Sequence, residues 1–273
     1  MCGTWLHAGP ALVNSVAPLF EVRNLSHHFG GLMAISGLGF SVPAGIVKGV
    51  IGPNGAGKTT LFNLIAGLIP VQSGEILFKG QRIDQLRPHR RVALGLSRTF
   101  QNLQIFAGMS VLENVMMGCH TRGRAGFLSA LLRLPSSRRE DESLRAAAQE
   151  SLERLGIGHL AQRPASEISF GECKIVEIAR AIAANPDLIM LDEPTAGLPH
   201  GDSREIAKVV RQLRDEGHTV MLVEHNIRLV MDLCDEIVVI NFGQRIAEGT
   251  VEEVRSNPDV LTAYLGSDDD AAA

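Results

Sequence analysis

Gly52-Pro53-Asn54-Gly55-Ala56-Gly57-Lys58-Thr59-Thr60 decides how this chain is read. The stretch fits the pattern Gly-x-x-x-x-Gly-Lys-[Ser/Thr], with Gly52, Gly57, Lys58 and Thr59 at its fixed positions. A triphosphate needs many hydrogen-bond donors inside a small concave space. Glycines let the backbone turn its N–H groups inward, and a helix N-terminus adds positive potential. In that geometry Lys58 reaches the β- and γ-phosphates, and the Thr59 hydroxyl holds Mg²⁺. Residues 46–51 before the motif form a short, mostly β-branched run, as a buried strand requires. Thr60-Leu61-Phe62-Asn63-Leu64-Ile65-Ala66 after it is an apolar helical segment that Gly67 can end. Strand, glycine loop and helix, in that order, make a nucleotide-binding P-loop.

Composition narrows what surrounds this loop. The chain has 273 residues, 45% of them hydrophobic, enough for one large α/β domain or a core with a satellite. A net charge of −4 and a pI of about 6.1 argue against a nucleic-acid partner. Cys2, Cys119, Cys173 and Cys234 are scattered without a Cys-x-x-Cys spacing. Neither a disulfide framework nor a zinc site is expected, which suits a reducing cytoplasm. Residues 1–20 carry no charged side chain, but they lack a basic start and are interrupted by Gly9, Pro10, Asn14 and Pro18. Residues 1–18 therefore read as a flexible extension rather than an export signal. No apolar run reaches the roughly 18 residues that a membrane helix needs. Residues 267–273, with Asp268-Asp269-Asp270, read as a solvated tail.

Along the chain, Phe20-Glu21-Val22-Arg23-Asn24-Leu25 alternates like an edge strand. Residues 39–43 end a second strand, and 74–80, bounded by glycines, form a third. Residues 103–165 look helical, with Leu144, Ala148, Leu152 and Leu155 at helical spacing. Within them, 122–145 carry six Arg against three acids, a solvated face or an element near a membrane or partner subunit. From 174 onward strand-like runs at 188–191, 219–223 and 236–240 alternate with helices, which predicts parallel strands with crossover helices.

A second group of residues carries chemistry. Leu188-Ile189-Met190-Leu191-Asp192-Glu193 is an apolar run ending in two carboxylates. A buried strand of this topology delivers its C-terminal end beside the P-loop. Asp192 would hold Mg²⁺, and Glu193 would polarise an attacking water. Hydrolysis of a phosphoanhydride needs an oriented water and neutralised charge more than covalent help. His225 follows a similar run, 219–224, and would reach the γ-phosphate or the water from a neighbouring strand end.

With these motifs in order, residues 20–266 resemble the ATP-binding subunit of ABC transporters. Ile168-Ser169-Phe170-Gly171-Glu172 is similar to the family signature Leu-Ser-Gly-Gly-Gln, and Glu177-Ile178-Ala179-Arg180-Ala181 looks like the helix that follows it. The resemblance implies an α/β fold: a P-loop NTPase (RecA-like) core with a parallel sheet, an N-terminal antiparallel β subdomain and an inserted α-helical subdomain. It places the ATPase domain at 19–266, with core segments 19–102 and 166–250, a helical insert at 103–165 and a C-terminal helical segment at 251–266. It implies ATP and Mg²⁺ as cofactors, and catalytic roles for Glu193, His225 and Gln101. Nucleotide contacts would come from Phe29, stacked on adenine, from Gly52, Pro53, Asn54, Gly55, Ala56, Gly57, Lys58, Thr59 and Thr60, and from Ser169 and Gly171. Thr59, Gln101 and Asp192 would hold the metal.

In the family, Ser169 and Gly171 donate to ATP held by the opposite subunit, so a homo- or heterodimer with a second ATP-binding subunit is implied. Transmembrane permease subunits contacted near Gln101, an indirect solute-binding protein and a place on the cytoplasmic face of the inner or plasma membrane follow from the same resemblance. Three departures stand out. Phe170 replaces the first signature Gly, Glu172 replaces its Gln, and Pro199 stands where the dimer-contact loop usually has Asp, which puts that cross-subunit contact in doubt. Ser97-Arg98-Thr99-Phe100-Gln101, the Arg-rich insert, the aromatic at 170 and the ending Asn257-Pro258-Asp259-Val260 with Ala263-Tyr264-Leu265-Gly266 look like the branched-chain amino-acid importer group. Relatives serving urea, amides or aromatic acids, and lipid or lipopolysaccharide export ATPases, stay open as alternatives at this point. A soluble cassette acting on ribosomes or DNA repair would carry two cassettes or a long coiled coil, and neither is present here.

Overall fold

The computed structural model describes residues 17–99, 104–122 and 135–265. The first part of the chain forms β1 (Phe20–Phe29), β2 (Leu32–Val42), β3 (Val47–Ile51), α1 (Lys58–Ala66), β4 (Ser73–Phe78) and β5 (Gln81–Arg82). Then come α2 (Pro88–Ala93), β6 (Leu96–Arg98), α3 (Val111–Met116), α4 (Pro135–Arg154) and α5 (Phe170–Ile182). The last part is β7 (Leu188–Asp192), α6 (His200–Asp215), β8 (Thr219–Val223), α7 (Ile227–Leu233), β9 (Glu236–Asn241), β10 (Gln244–Thr250), α8 (Val251–Arg255) and α9 (Pro258–Leu265).

Two sheets organise these elements. The antiparallel sheet has the order β2-β1-β4-β5, and the larger sheet the order β10-β9-β3-β8-β7-β6. In the larger sheet β9, β3, β8, β7 and β6 are parallel, and β10 runs antiparallel to β9. One expectation needs correction. The 20–25 stretch is part of β1, which lies between β2 and β4 and is not an edge. Its alternation reports one buried and one wetter face, as an antiparallel sheet allows at any position in the order.

Every residue of β3, β7 and β8 is buried, because both faces of the parallel sheet are covered. Alternation sorts them into two cores. Val50, Met190, Met221, Val223, Val238 and Ile240 face Leu61, Phe62 and Ile65 of α1 and the antiparallel sheet. Val47, Ile51, Ile189, Leu191, Leu222 and Val239 face the other way, with Val176 of α5 and Val210 of α6. At roughly 2 kcal/mol per fully buried aliphatic side chain, these two layers fix where each strand ends. The helical middle extends the second core: Ala148 and Leu152 of α4 are buried there, with Leu144 packed beside them.

Cys119, Cys173 and Cys234 are buried thiols outside any disulfide, and burial pushes the Cys234 thiol up to about 12, so it stays protonated. Residues 1–16, residues 123–134 of the Arg-rich stretch and the tail from 266 lie outside the described residues. Among those described, no helix is long and apolar enough to cross a membrane.

Candidate nucleotide site

The parallel order brings the C-terminal ends of β3, β8 and β7 side by side. β3 feeds the glycine loop, and α1 starts at Lys58 with Gly57 at its N-cap in the left-handed region, φ +102°. A Cβ on Gly57 would lie 2.5 Å from the Ala34 carbonyl oxygen, and one on Gly52 would lie 2.0 Å from that of Ile240. Any side chain at either position displaces the loop, so the two fixed glycines follow from close packing. The first-turn N–H groups of α1 have no intrahelical acceptor and point toward the loop's hollow.

Lys58 Nζ donates to the Gly52 and Pro53 carbonyl oxygens at 2.7 and 2.9 Å. Burial holds its ammonium below the ordinary lysine value, and the charges of Glu193 and Asp192 oppose that shift. A cavity of about 480 Å³ gathers Phe29, residues 54–60, Glu193 and His225, with Phe242 at its wall. A larger cavity, about 750 Å³, lies among α7, α8 and α9 with Ile51 of β3 at its wall, and contains none of Glu193, His225 or residues 54–60.

Asp192 ends β7 with its side chain fully buried. Its Oδ2 accepts from Arg98 at 2.7 Å, and the same guanidinium donates to Asn63 Oδ1 of α1 at 2.8 Å. Asp192 Oδ1 is buried and has no hydrogen-bond partner. An orphaned buried acceptor costs about 1–3 kcal/mol, a cost that a ligand at this point would offset. No group of three or more metal-ligating side chains occurs among the described residues. The donor set is a single hard carboxylate oxygen beside a phosphate cradle. That suits Mg²⁺, which keeps several waters and leans on one or two carboxylates and phosphate oxygens.

Glu193 adopts φ +49°, which costs a non-glycine residue roughly 1–2 kcal/mol. Its N–H donates to Val223 O of β8 at 2.9 Å. His225, past the end of β8, donates from Nε2 to Glu193 Oε1 at 2.7 Å. An ionised carboxylate only accepts, which fixes the proton on Nε2. The two hydrolytic candidates, 32 residues apart in sequence, are thus hydrogen-bonded partners.

Ser169 and Gly171 sit elsewhere. Ser169 is exposed at the N-cap of α5, outside the cavity that holds the P-loop. A reciprocal cap forms there: Ser169 Oγ accepts from Glu172 N–H at 3.2 Å, and Glu172 Oε2 accepts from Ser169 N–H at 2.7 Å. This accounts for one departure from the signature, since Glu caps as well as Gln. Phe170 is exposed, with Lys174 Nζ 5.8 Å from its ring centroid. Pro199 occupies the N-cap of α6 and offers no side-chain acceptor. Phe29 presents an exposed ring, backed edge-on by His27 with centroids 4.6 Å apart. Gln101 lies outside the described residues.

Sequence reasoning missed Arg98, Asn63 and Phe242 as members of the site. Arg98 carried a signal: it precedes Thr99-Phe100-Gln101 on a strand that pairs with β7. Phe242 carried none beyond its place after an apolar run.

The comparisons with known proteins agree with this geometry. The ABC transporter family profile matches residues 35–196, and that of the branched-chain amino acid ATP-binding cassette transporter matches residues 244–270. The chain is 39% identical to the high-affinity branched-chain amino acid transport ATP-binding protein LivG of Escherichia coli (strain K12), over 91% of this chain and 98% of that one. It is 40% identical to the corresponding protein BraF of Pseudomonas aeruginosa, with the same coverage. Among solved structures it is similar to a nucleotide-free ATP-binding cassette of an ABC transporter (TM-score 0.79, 35% identity, 90% of this chain and 98% of that one). It is also similar to an ABC transporter cassette in its ADP conformation (TM-score 0.80, 34% identity, 92% of this chain and 100% of that one). Taken with a P-loop cavity lined by the Glu193–His225 pair, these matches establish that the chain belongs to the ABC transporter family, as an ATPase subunit.

Proposed function

We propose that this chain powers uptake of branched-chain amino acids, as one of two ATP-binding subunits seated on the cytoplasmic face of a membrane permease. The observation that carries the shared-site reading is the division of the machinery. Phe29, the P-loop, Glu193 and His225 line one cavity, while the exposed Ser169 and the buried Gly171 stand at a helix N-terminus outside it. A helix N-terminus that stands outside its own chain's phosphate site fits a second subunit, arranged head to tail, so that each chain completes the other's site.

On this reading, Lys58 leaves the loop carbonyls for the β- and γ-phosphates, and the first-turn N–H groups of α1 take the remaining phosphate oxygens. Glu193 accepts a proton from the attacking water, and His225 links that carboxylate to the γ-phosphate. Thr59, Asp192 and Gln101 would hold Mg²⁺, which neutralises phosphate charge when bound. Ser169 and Gly171 of the other subunit donate to the same γ-phosphate, so ATP draws the two subunits together and hydrolysis releases them. Residues 19–102 with 166–250 act as the core, 103–165 as the helical insert and 251–266 as a C-terminal segment. A groove of about 340 Å³ lined by Leu68, Gln104, Met117 and Arg180 runs between the core and the helical insert and supports permease docking on this face.

The solute assignment rests on the relatives' stated transport of branched-chain amino acids and on the 244–270 match. Reconstitution with permease and solute-binding partners in vesicles tests it. Leucine, isoleucine and valine are expected to stimulate ATP turnover and accumulate inside. Stimulation only by urea, amides or aromatic acids would contradict the solute, and co-sedimentation with ribosomes instead of permease would contradict transport.

A further inference from the structure

Glu224 is a buried carboxylate that none of the roles above uses. It ends the β8 run, beside Val223, which pairs in register with Asp192 of β7. Three donors converge on it. Thr195 gives its backbone N–H at 2.9 Å and its hydroxyl at 2.6 Å, both to Oε1. His225 gives its backbone N–H to Oε2 at 3.2 Å. Thr195 stands two residues after Glu193, and Ala196 N–H closes a turn onto Glu193 O at 3.1 Å.

These bonds bear on a strained residue. A left-handed Glu193 persists only if its surroundings over-determine it. On one side its N–H is tied to Val223 O. On the other side the chain is tied at Thr195, and that tie is Glu224. The same carboxylate holds the backbone of His225, whose ring meets Glu193.

We propose that Glu224 is a positioning residue for hydrolysis. It keeps Glu193 in its left-handed conformation and His225 in register, so that carboxylate and imidazole stay paired. It touches neither nucleotide nor water, and ATP affinity does not depend on it. The inference rests on the roles given above to Glu193 and His225.

Glu224→Ala, Glu224→Gln and Thr195→Val in the full chain test it, read by fluorescent-ATP affinity and by single-turnover hydrolysis of bound ATP. Misplacing a reacting group by about 1 Å can cost on the order of 10²-fold, so Glu224→Ala is expected to slow hydrolysis at least tenfold with ATP affinity unchanged. Glu224→Gln keeps an acceptor for Thr195 and is expected to recover part of the rate, and Thr195→Val to lose an intermediate amount. A scaffold role alone would lower thermal stability while leaving hydrolysis per folded molecule intact, which would overturn the proposal. Equal losses in affinity and rate would overturn it too. Should Glu224→Ala fail to fold, wild-type rates in both Glu224→Gln and Thr195→Val decide against it. Glu193→Gln serves as the control: if it hydrolyses normally the role of Glu193 fails, and if it is inactive while Glu224→Ala is normal only this inference fails.

Discussion

Lys58 illustrates how a single side chain can be held ready for a ligand. Its ammonium rests on two neutral carbonyl oxygens of its own loop. A phosphate offers charged acceptors, whose hydrogen bonds are roughly twice as strong, so under the proposed function the lysine exchanges partners when nucleotide arrives. Lys58→Ala removes a charge-assisted contact worth about 1.5–3 kcal/mol, and ATP affinity is expected to fall at least tenfold and up to about a hundredfold. Titration with fluorescent ATP measures this; an unchanged affinity would remove the lysine from the site. Such residues were legible because their motif is local: nine consecutive residues carry the glycines, the cation and the hydroxyl. Glu224 was not legible, because it reads like any acid after an apolar run. Its partner Thr195 is 29 residues away, and only the β7–β8 register brings them together. The pairing of Arg98 with Asp192 was hidden in the same manner, 94 residues apart, although Arg98 itself stands in the 97–101 stretch that drew attention.

At the scale of elements, α5 carries the exposed half of the proposed shared site, and its start depends on a titratable cap. The backbone N–H of Ser169 holds the Glu172 carboxylate below its ordinary value of 4.5, against a smaller opposing effect of burial. A depressed folded value means the cap's contribution is present in full above the ordinary value and lost as pH falls through the folded one. Protection of the first-turn amides of α5 against hydrogen exchange is therefore expected to drop below about pH 4.5, relative to their protection at pH 7. In Glu172→Gln that acid-dependent drop disappears, since the amide still accepts from Ser169 but does not titrate. An identical acid response in both proteins would contradict the cap. The parallel strands were legible from their uninterrupted apolar runs, which only a sheet covered on both faces requires. The place of β1 in its sheet was not, because alternation specifies a face and is silent about neighbours.

For the whole molecule, composition and the order of motifs gave the α/β layering and the P-loop setting. The meeting of Glu193 with His225 needed the sheet order, in which β8 lies between β3 and β7. The same order places Asp192, Glu193 and His225 along one rim, facing the loop that β3 feeds. That rim holds a carboxylate, an imidazole and an orphaned acceptor, and Ser169 stands outside it, which is the division that the proposed shared site rests on. The most direct measurement is single-turnover hydrolysis of bound ATP by Glu193→Gln beside the wild type, with ATP affinity determined for both. The amide preserves shape and hydrogen bonding to His225 but cannot accept the water's proton. ATP affinity is expected to stay the same and hydrolysis to fall by roughly 10²–10⁴-fold, the range that a positioned general base contributes. Hydrolysis at the wild-type rate would contradict the assignment of Glu193 and, with it, the mechanism built on this site.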